Sequence, residues 1–278
     1  MGRKAVFLDV DGTYVNDRGV VPPSAREAVV SARGNGHLVF LCTGRSTAMI
    51  WDSVTEVGFD GVIASSGCWV ELGGTVLEHR TLPVDDVRRV VEFFDEHDVA
   101  FMLESHSGMY GSRDCRARLR RRIFADVTDP TTVAEMEKGL GGFIDRLSEG
   151  GDLLRDDISK VSFFDSPLTL DEVRVEFDAT FDVIPSMVRR FGDTSGEMAI
   201  RGVHKAHGIE VLLPHLGLTP ADVIAFGDGF NDIEMLQLAG TGVAMAGAHA
   251  TVKAAADTET PDPDDDGIAL AFARLGLV

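Results

Sequence analysis

Along the chain, short apolar runs alternate with segments whose apolar residues recur at helical spacing. Val6, Phe7 and Leu8 form a run consistent with a buried strand. Val21-Pro22-Pro23 turns the chain, and Ser24 with Glu27 reads as a capping box for a helix that runs to about Arg33 and stops at Gly34-Asn35-Gly36. His37 to Cys42 is a second buried strand, a helix is expected over 46–57, and Gly61 to Ser65 is a third strand. Residues 67–80 read as a hairpin turned at Gly73-Gly74. Strand and helix alternating in this way predict an α/β fold with a parallel, Rossmann-like sheet.

The middle of the chain changes character. A helix from Pro83 carries Val87, Val90, Val91 and Phe94, and Val99 to Leu103 reads as a strand. Ile158 to Phe164, a helix around 168–177 and strands near 180–184 and 187–191 follow. These strand–helix–strand units predict a smaller α/β domain, a cap, inserted at roughly 83–192. Residues 1–82 and 193–278 would then form a discontinuous core, with 197–201 returning to it. His204-Lys205 opens a helix bearing Ile209, Leu212 and Leu213. Val223 to Phe226 is a buried strand, Ile233 to Leu238 a helix, Thr241 to Met245 a strand, and 248–256 a helix. Asp264-Asp265-Asp266-Gly267 reads as a solvated turn before the last helix.

Composition narrows the function. With 44% apolar and 26% charged residues over 278 positions, the chain suits a soluble globular protein with a sizeable core. A net charge of −19 argues against a nucleic-acid or anionic-membrane surface. The basic stretch at Arg113, Arg116, Arg118, Arg120, Arg121 and Arg122 reads as a solvated helix face, with electrostatic help for an anionic substrate as the alternative. Three cysteines, Cys42, Cys68 and Cys115, imply no disulfide framework. With no signal-peptide pattern and no apolar run of membrane-spanning length, a cytoplasmic protein is expected, and no protein partner is.

The chemistry gathers at strand ends. Asp9 and Asp11 close the first strand, ahead of Gly12-Thr13. Two neighbouring carboxylates need a cation or a shared proton, and strand C-termini of open α/β sheets are where ligands bind. On an extended strand, residues two apart point the same way. Thr43-Gly44-Arg45-Ser46 ends the second strand where a helix begins, offering a hydroxyl and backbone N–H groups to an anion. Lys205 starts a helix, and Gly227-Asp228-Gly229-Phe230-Asn231-Asp232 closes a later strand. A carboxylate nucleophile attacking a phosphate needs Mg²⁺ and a lysine against charge repulsion.

In this order, the four pieces resemble the haloacid dehalogenase superfamily of phosphohydrolases, most closely its Cof-type branch with an inserted α/β cap. The resemblance covers nearly the whole chain. It implies Mg²⁺-dependent hydrolysis of a small phosphorylated metabolite, such as a sugar phosphate, through an aspartyl-phosphate. It makes Asp9 the nucleophile and Asp11 the general acid/base. Thr43 and Gly44 bind phosphate with Lys205, and Asp9, Asp11 and Asp228 hold the metal. Asn231 and Asp232 support the metal and the lysine, and Asn231 also counts among the phosphate-binding residues. The same motifs serve phosphosugar mutases and glycosyl-phosphate phosphatases, and a non-catalytic phosphate-binding regulator could share the fold. Three departures from the family pattern stand out. Tyr14 replaces an aliphatic residue and is expected at the cap or pocket mouth, and Ser65-Ser66-Gly67-Cys68 and Met245-Ala246-Gly247-Ala248 each lack a usual amide.

Overall fold

The computed structural model describes residues 2–137, 141–186 and 191–278. The chain forms two units, Met1–Arg45 with Ile50–His79 and His204–Val278, and Ser46–Met49 with Arg80–Val203. In chain order the strands are β1 (Ala5–Leu8), β2 (Leu38–Cys42), β3 (Gly61–Ala64), β4 (Trp69–Leu72) and β5 (Thr75–His79). The second unit supplies β6 (Ala100–Ser105), β7 (Met109–Gly111), β8 (Leu147–Glu149), β9 (Ile158–Phe164), β10 (Phe181–Pro185) and β11 (Gly196–Ile200). The first unit resumes with β12 (Val223–Gly227), β13 (Thr241–Met245) and β14 (Thr258–Thr260).

The first unit is built on one sheet of order β14-β13-β12-β1-β2-β3-β4-β5, parallel from β14 to β3 and antiparallel beyond. β1 sits centrally, so both of its faces are buried and its residues are apolar throughout. Val6 and Leu8 pack on one face with helices Pro23–Gly34 and Gly267–Arg274. Ala5 and Phe7 pack on the other with helices Lys205–Leu216 and Ile233–Leu238. This is the expected α/β core. Ser24 does not cap its helix. Pro22 holds the N-cap position, and the Ser24 hydroxyl instead donates to Asp266 at 2.6 Å. The acidic turn is tied down as well, because Asp264 accepts bonds from Asn16 at 2.6 Å and Arg18 at 3.0 Å. The helix expected over 46–57 is broken into two short turns, Thr47–Met49 and Asp52–Thr55.

The second unit is a six-stranded sheet of order β10-β11-β9-β6-β7-β8. β11 pairs antiparallel with both β10 and β9. The expectation that 197–201 return to the first sheet is therefore corrected: Glu197 and Met198 face Ser162 and Val161 across a ladder of the second sheet. The strand expected near 187–191 falls largely outside the described residues. Helix Val84–Glu96 buries Val87, Val90 and Phe94 against this sheet. The Phe94 ring lies 5.6, 5.2 and 6.1 Å from those of Phe101, Phe163 and Phe177. Three of the six arginines of the basic stretch are neutralised locally. Arg118 pairs with Asp98 and Asp165, Arg120 with Glu137 and Asp145, and Arg121 with Asp165, while Arg122 donates to the Phe191 carbonyl.

Phe94→Ala should cost about 3–5 kcal/mol, because it empties the centre of an aromatic cluster that cannot collapse fully. A urea titration of purified protein checks this, and a loss under about 1 kcal/mol would contradict the packing described.

Candidate active site

The site forms where β1, β12 and β2 end together. Leu8 lies opposite Phe226 on one side and Leu41 on the other, so Asp9, Asp228 and Thr43 leave the sheet at one edge. The Asp9 N–H still donates to the Phe226 carbonyl at 3.0 Å. Beyond it the chain curls, with Val15 donating to the Val10 carbonyl at 2.7 Å and Gly12 to that of Val15 at 2.8 Å. Gly12 has φ +79°, and a Cβ there would lie 2.3 Å from Asp228 Oδ2. Glycine is required both by its backbone conformation and by the approach of that carboxylate. Thr13 Oγ1 donates to Asp228 Oδ1 at 2.9 Å and fixes it.

Lys205 arrives from the opposite side. Its helix starts at His204, whose Nδ1 accepts the His207 N–H at 3.2 Å. Two glycines let that start sit deep. A Cβ on Gly67, at φ +105°, would meet the His204 carbonyl at 2.3 Å, and one on Gly208 would meet Ile63 at 2.5 Å. Lys205 is fully buried, and its Nζ donates to Asp9 Oδ1 at 2.6 Å and to Asp232 Oδ1 at 2.5 Å. Asp232 Oδ2 accepts the Asp228 and Gly229 N–H groups at 3.0 and 2.8 Å, so both of its oxygens are occupied.

The electrostatics show an excess of negative charge. Burial works against the Lys205 ammonium, but Asp232 and Asp9 outweigh it and hold its pKa above the ordinary lysine value. Burial pushes Asp9 well above the carboxylate range. Lys205 draws it back, while Asp232, Asp228 and Asp11 push it up again. Asp228 is raised to about 7 by burial and by the charge of Asp232, against the Thr13 hydrogen bond. One ammonium does not balance these acids.

Oxygens of Asp9, Asp228 and Asp232 lie within 4.8 Å of one another. With Asp232 occupied, the carboxylates of Asp9 and Asp228 each keep one oxygen that takes no hydrogen bond from the described residues. This all-oxygen donor set, short of positive charge, fits a hard divalent cation such as Mg²⁺.

Other candidates sit differently. Asp11 does not follow Asp9 along a strand, because β1 ends at Leu8. Its carboxylate is exposed and is gripped by Arg45 through Nε at 2.7 Å and Nη2 at 2.5 Å. Arg45 is braced in turn by the Trp51 ring, 4.2 Å from its guanidinium carbon. Thr43 is buried, and its Oγ1 accepts the Arg45 N–H at 3.1 Å beside Gly44. Asn231 is half-buried in the turn Phe230–Asp232. Tyr14 is corrected: it is fully buried in the first unit's core, edge-on to Phe59 at 5.6 Å, and not at a pocket mouth. Sequence reasoning gave no role to Thr13, Gly67 or Gly208. Only the Asp-Gly-Thr motif itself flagged Thr13, and close approach to a neighbouring backbone leaves no signal in a single sequence.

This fold and this arrangement of acids around a buried lysine define a class. A haloacid dehalogenase-like hydrolase model matches residues 6–272, and the chain belongs to that family, as an enzyme of the phosphatase type. Among its relatives, the "putative phosphatase YkrA" of Bacillus subtilis is 31% identical over 284 residues, covering 100% of both chains. The pyridoxal phosphate phosphatase YbhA of Escherichia coli is 26% identical over 261 residues, covering 88% of each. The crystal structure of a hypothetical protein from Geobacillus kaustophilus superposes with a TM-score of 0.78 at 29% identity, covering 100% of both chains. Among the described residues, no helix is long and apolar enough to cross a membrane.

Lys205→Met leaves two buried carboxylates facing each other without a counter-charge. The variant should lose about 3–5 kcal/mol of stability. Equilibrium urea unfolding checks this, and wild-type stability would contradict a buried, charged lysine.

Proposed function

We propose that the chain is a Mg²⁺-dependent phosphatase that hydrolyses a small phosphorylated metabolite, of the sugar-phosphate kind, through an aspartyl-phosphate on Asp9. The observation that carries this reading is the unequal use of the two acids that share Lys205. Both Asp232 oxygens are consumed by Lys205 and by backbone N–H groups. Asp9 spends one oxygen on Lys205 and keeps a 6% exposure, so it alone of the pair can reach a substrate.

Asp9 and Asp228, with the main-chain carbonyl of Asp11, would hold the metal, which when bound supplies positive charge to the phosphoryl oxygens. Asp9 attacks phosphorus as its O–P bond forms and the ester P–O bond breaks. Asp11 gives a proton to the departing alkoxide. It then takes one from the water that attacks phosphorus, and inorganic phosphate leaves with Asp9 restored. Thr43, the Gly44 backbone and Asn231 hold phosphoryl oxygens, and Lys205 neutralises their charge while orienting Asp9. Asp232 keeps Lys205 in place. We assign this chemistry to the first unit and substrate selection to the second. The two comparisons with curated relatives support phosphate-ester chemistry, YbhA by its name on a small phosphorylated molecule. Three buried cysteines that form no disulfide fit a reducing compartment, and we infer a cytoplasmic location.

Phosphate release from a panel of phosphorylated metabolites should require added Mg²⁺ and vanish in Asp9→Asn. Asp11→Asn should keep the fold and lower turnover by about 10²–10⁴-fold. Undiminished release from Asp9→Asn would contradict the nucleophile assignment, and undiminished release from Asp11→Asn the acid/base assignment.

A further inference from the structure

The acid assigned to the leaving group stands in the open. The Asp11 side chain is 57% exposed, beyond the end of β1, in the curl that Gly12 and Val15 close. An exposed carboxylate turns between rotamers unless something grips it. Arg45 grips it from a nearly buried position, its own side chain 10% exposed. Nε donates to Asp11 Oδ2 and Nη2 to Oδ1, at 2.7 and 2.5 Å, so both oxygens rest on one flat edge of the guanidinium. A fork of this kind fixes the plane and direction of a carboxylate, which a single contact does not. It uses one lone pair of each oxygen and leaves one on each for a proton.

The guanidinium is held in turn. The Arg45 N–H donates to Thr43 Oγ1 at 3.1 Å, and the Arg45 carbonyl accepts the Ser65 N–H at 2.7 Å, so its main chain is pinned on two sides. The Trp51 ring lies 4.2 Å from the guanidinium carbon. Trp51 packs against the core of the first unit, and it crosses Gly19 so closely that a Cβ there would lie 3.3 Å from the ring. An ion pair with one exposed partner contributes little to stability. What the contacts from Trp51 through Arg45 to Asp11 fix is the direction in which the Asp11 carboxylate points.

We propose that Arg45 and Trp51 are positioning residues for proton transfer: Arg45 aims the Asp11 carboxylate at the leaving-group oxygen, and Trp51 holds Arg45 in place. This rests on the phosphatase reading above and deepens it. As the ester P–O bond breaks, its electron pair goes to the alcohol oxygen, and the proton on Asp11 must already lie within reach of that oxygen. A small misplacement of such a group costs a large factor in rate. The cost falls only on esters whose leaving group needs the proton.

The test measures kcat/KM with Mg²⁺ for benzyl phosphate, whose alcohol needs a proton to leave, and for p-nitrophenyl phosphate, whose phenolate leaves without one. The fastest alkyl phosphate of the metabolite panel replaces a benzyl ester that wild type refuses. In Arg45→Met the ratio of the first ester to the second should fall by about tenfold or more. In Trp51→Leu it should fall by about three- to tenfold, the scale of one cation–π contact. In an Asp11→Asn background neither substitution should lower the ratio further, because the group they aim is gone. Thermal melting identifies a variant that fails to fold, and Arg45→Lys, which keeps the charge and loses the fork, then replaces Arg45→Met. Equal losses on both esters, as a phosphate-binding or purely structural role would give, overturn the proposal and leave the phosphatase reading intact. If wild type hydrolyses neither ester and no member of the panel, the phosphatase reading fails and this assignment fails with it.

Discussion

One ammonium holds the first unit's site together. Lys205 is driven into the protein by a helix whose start is pressed onto the turn after β3, and it meets Asp9 and Asp232 with no water-exposed surface of its own. Removing a lysine from water is costly unless partners are in place. Here they come from the end of β1 and the loop after β12, so three distant stretches of chain are locked by one cation. The glycines at 67 and 208 are the steric counterpart of that lock, since side chains there would push the helix start away.

The same arrangement leaves charge unbalanced. Lys205 is shared by two acids, and Asp228 stands alongside, its carboxylate accepting from the Thr13 hydroxyl alone among the described residues. Burial and mutual repulsion raise Asp9 and Asp228 together. A hard divalent cation would relieve this repulsion while both acids stay charged, so the electrostatic tension and the proposed metal chemistry are one feature seen twice. Asp11 stands outside it. Its carboxylate is held by Arg45 at the exposed rim, a position suited to meeting a leaving group and not to holding a metal through its side chain.

Much of this was legible in the sequence because it lay in local patterns. The apolar run at Val6 to Leu8, the pair Asp9 and Asp11 before Gly12, and Lys205 at a helix start are each a few residues long, and the parallel core followed from their alternation. What was lost depended on distant contacts. Ser24 looked like a helix cap, yet its hydroxyl is taken by Asp266, 242 residues away. Tyr14 looked like a rim residue because of its neighbours in the motif, but the sharp turn at Gly12 carries it into the core. Residues 197–201 looked like a return to the core, yet they pair with Val161 and Ser162 in the second sheet. The Arg45–Asp11 pair joins residues 34 apart and left no mark in the local pattern.

The central claim is that Asp9 becomes phosphorylated. The direct measurement is an acid quench of enzyme turning over a phosphate-labelled substrate with Mg²⁺, followed by peptide mapping of the label. The account predicts a hydroxylamine-sensitive acyl phosphate on the peptide that contains Asp9, absent from Asp9→Asn. Turnover with no label on that peptide, or with the label on a different residue, would contradict it.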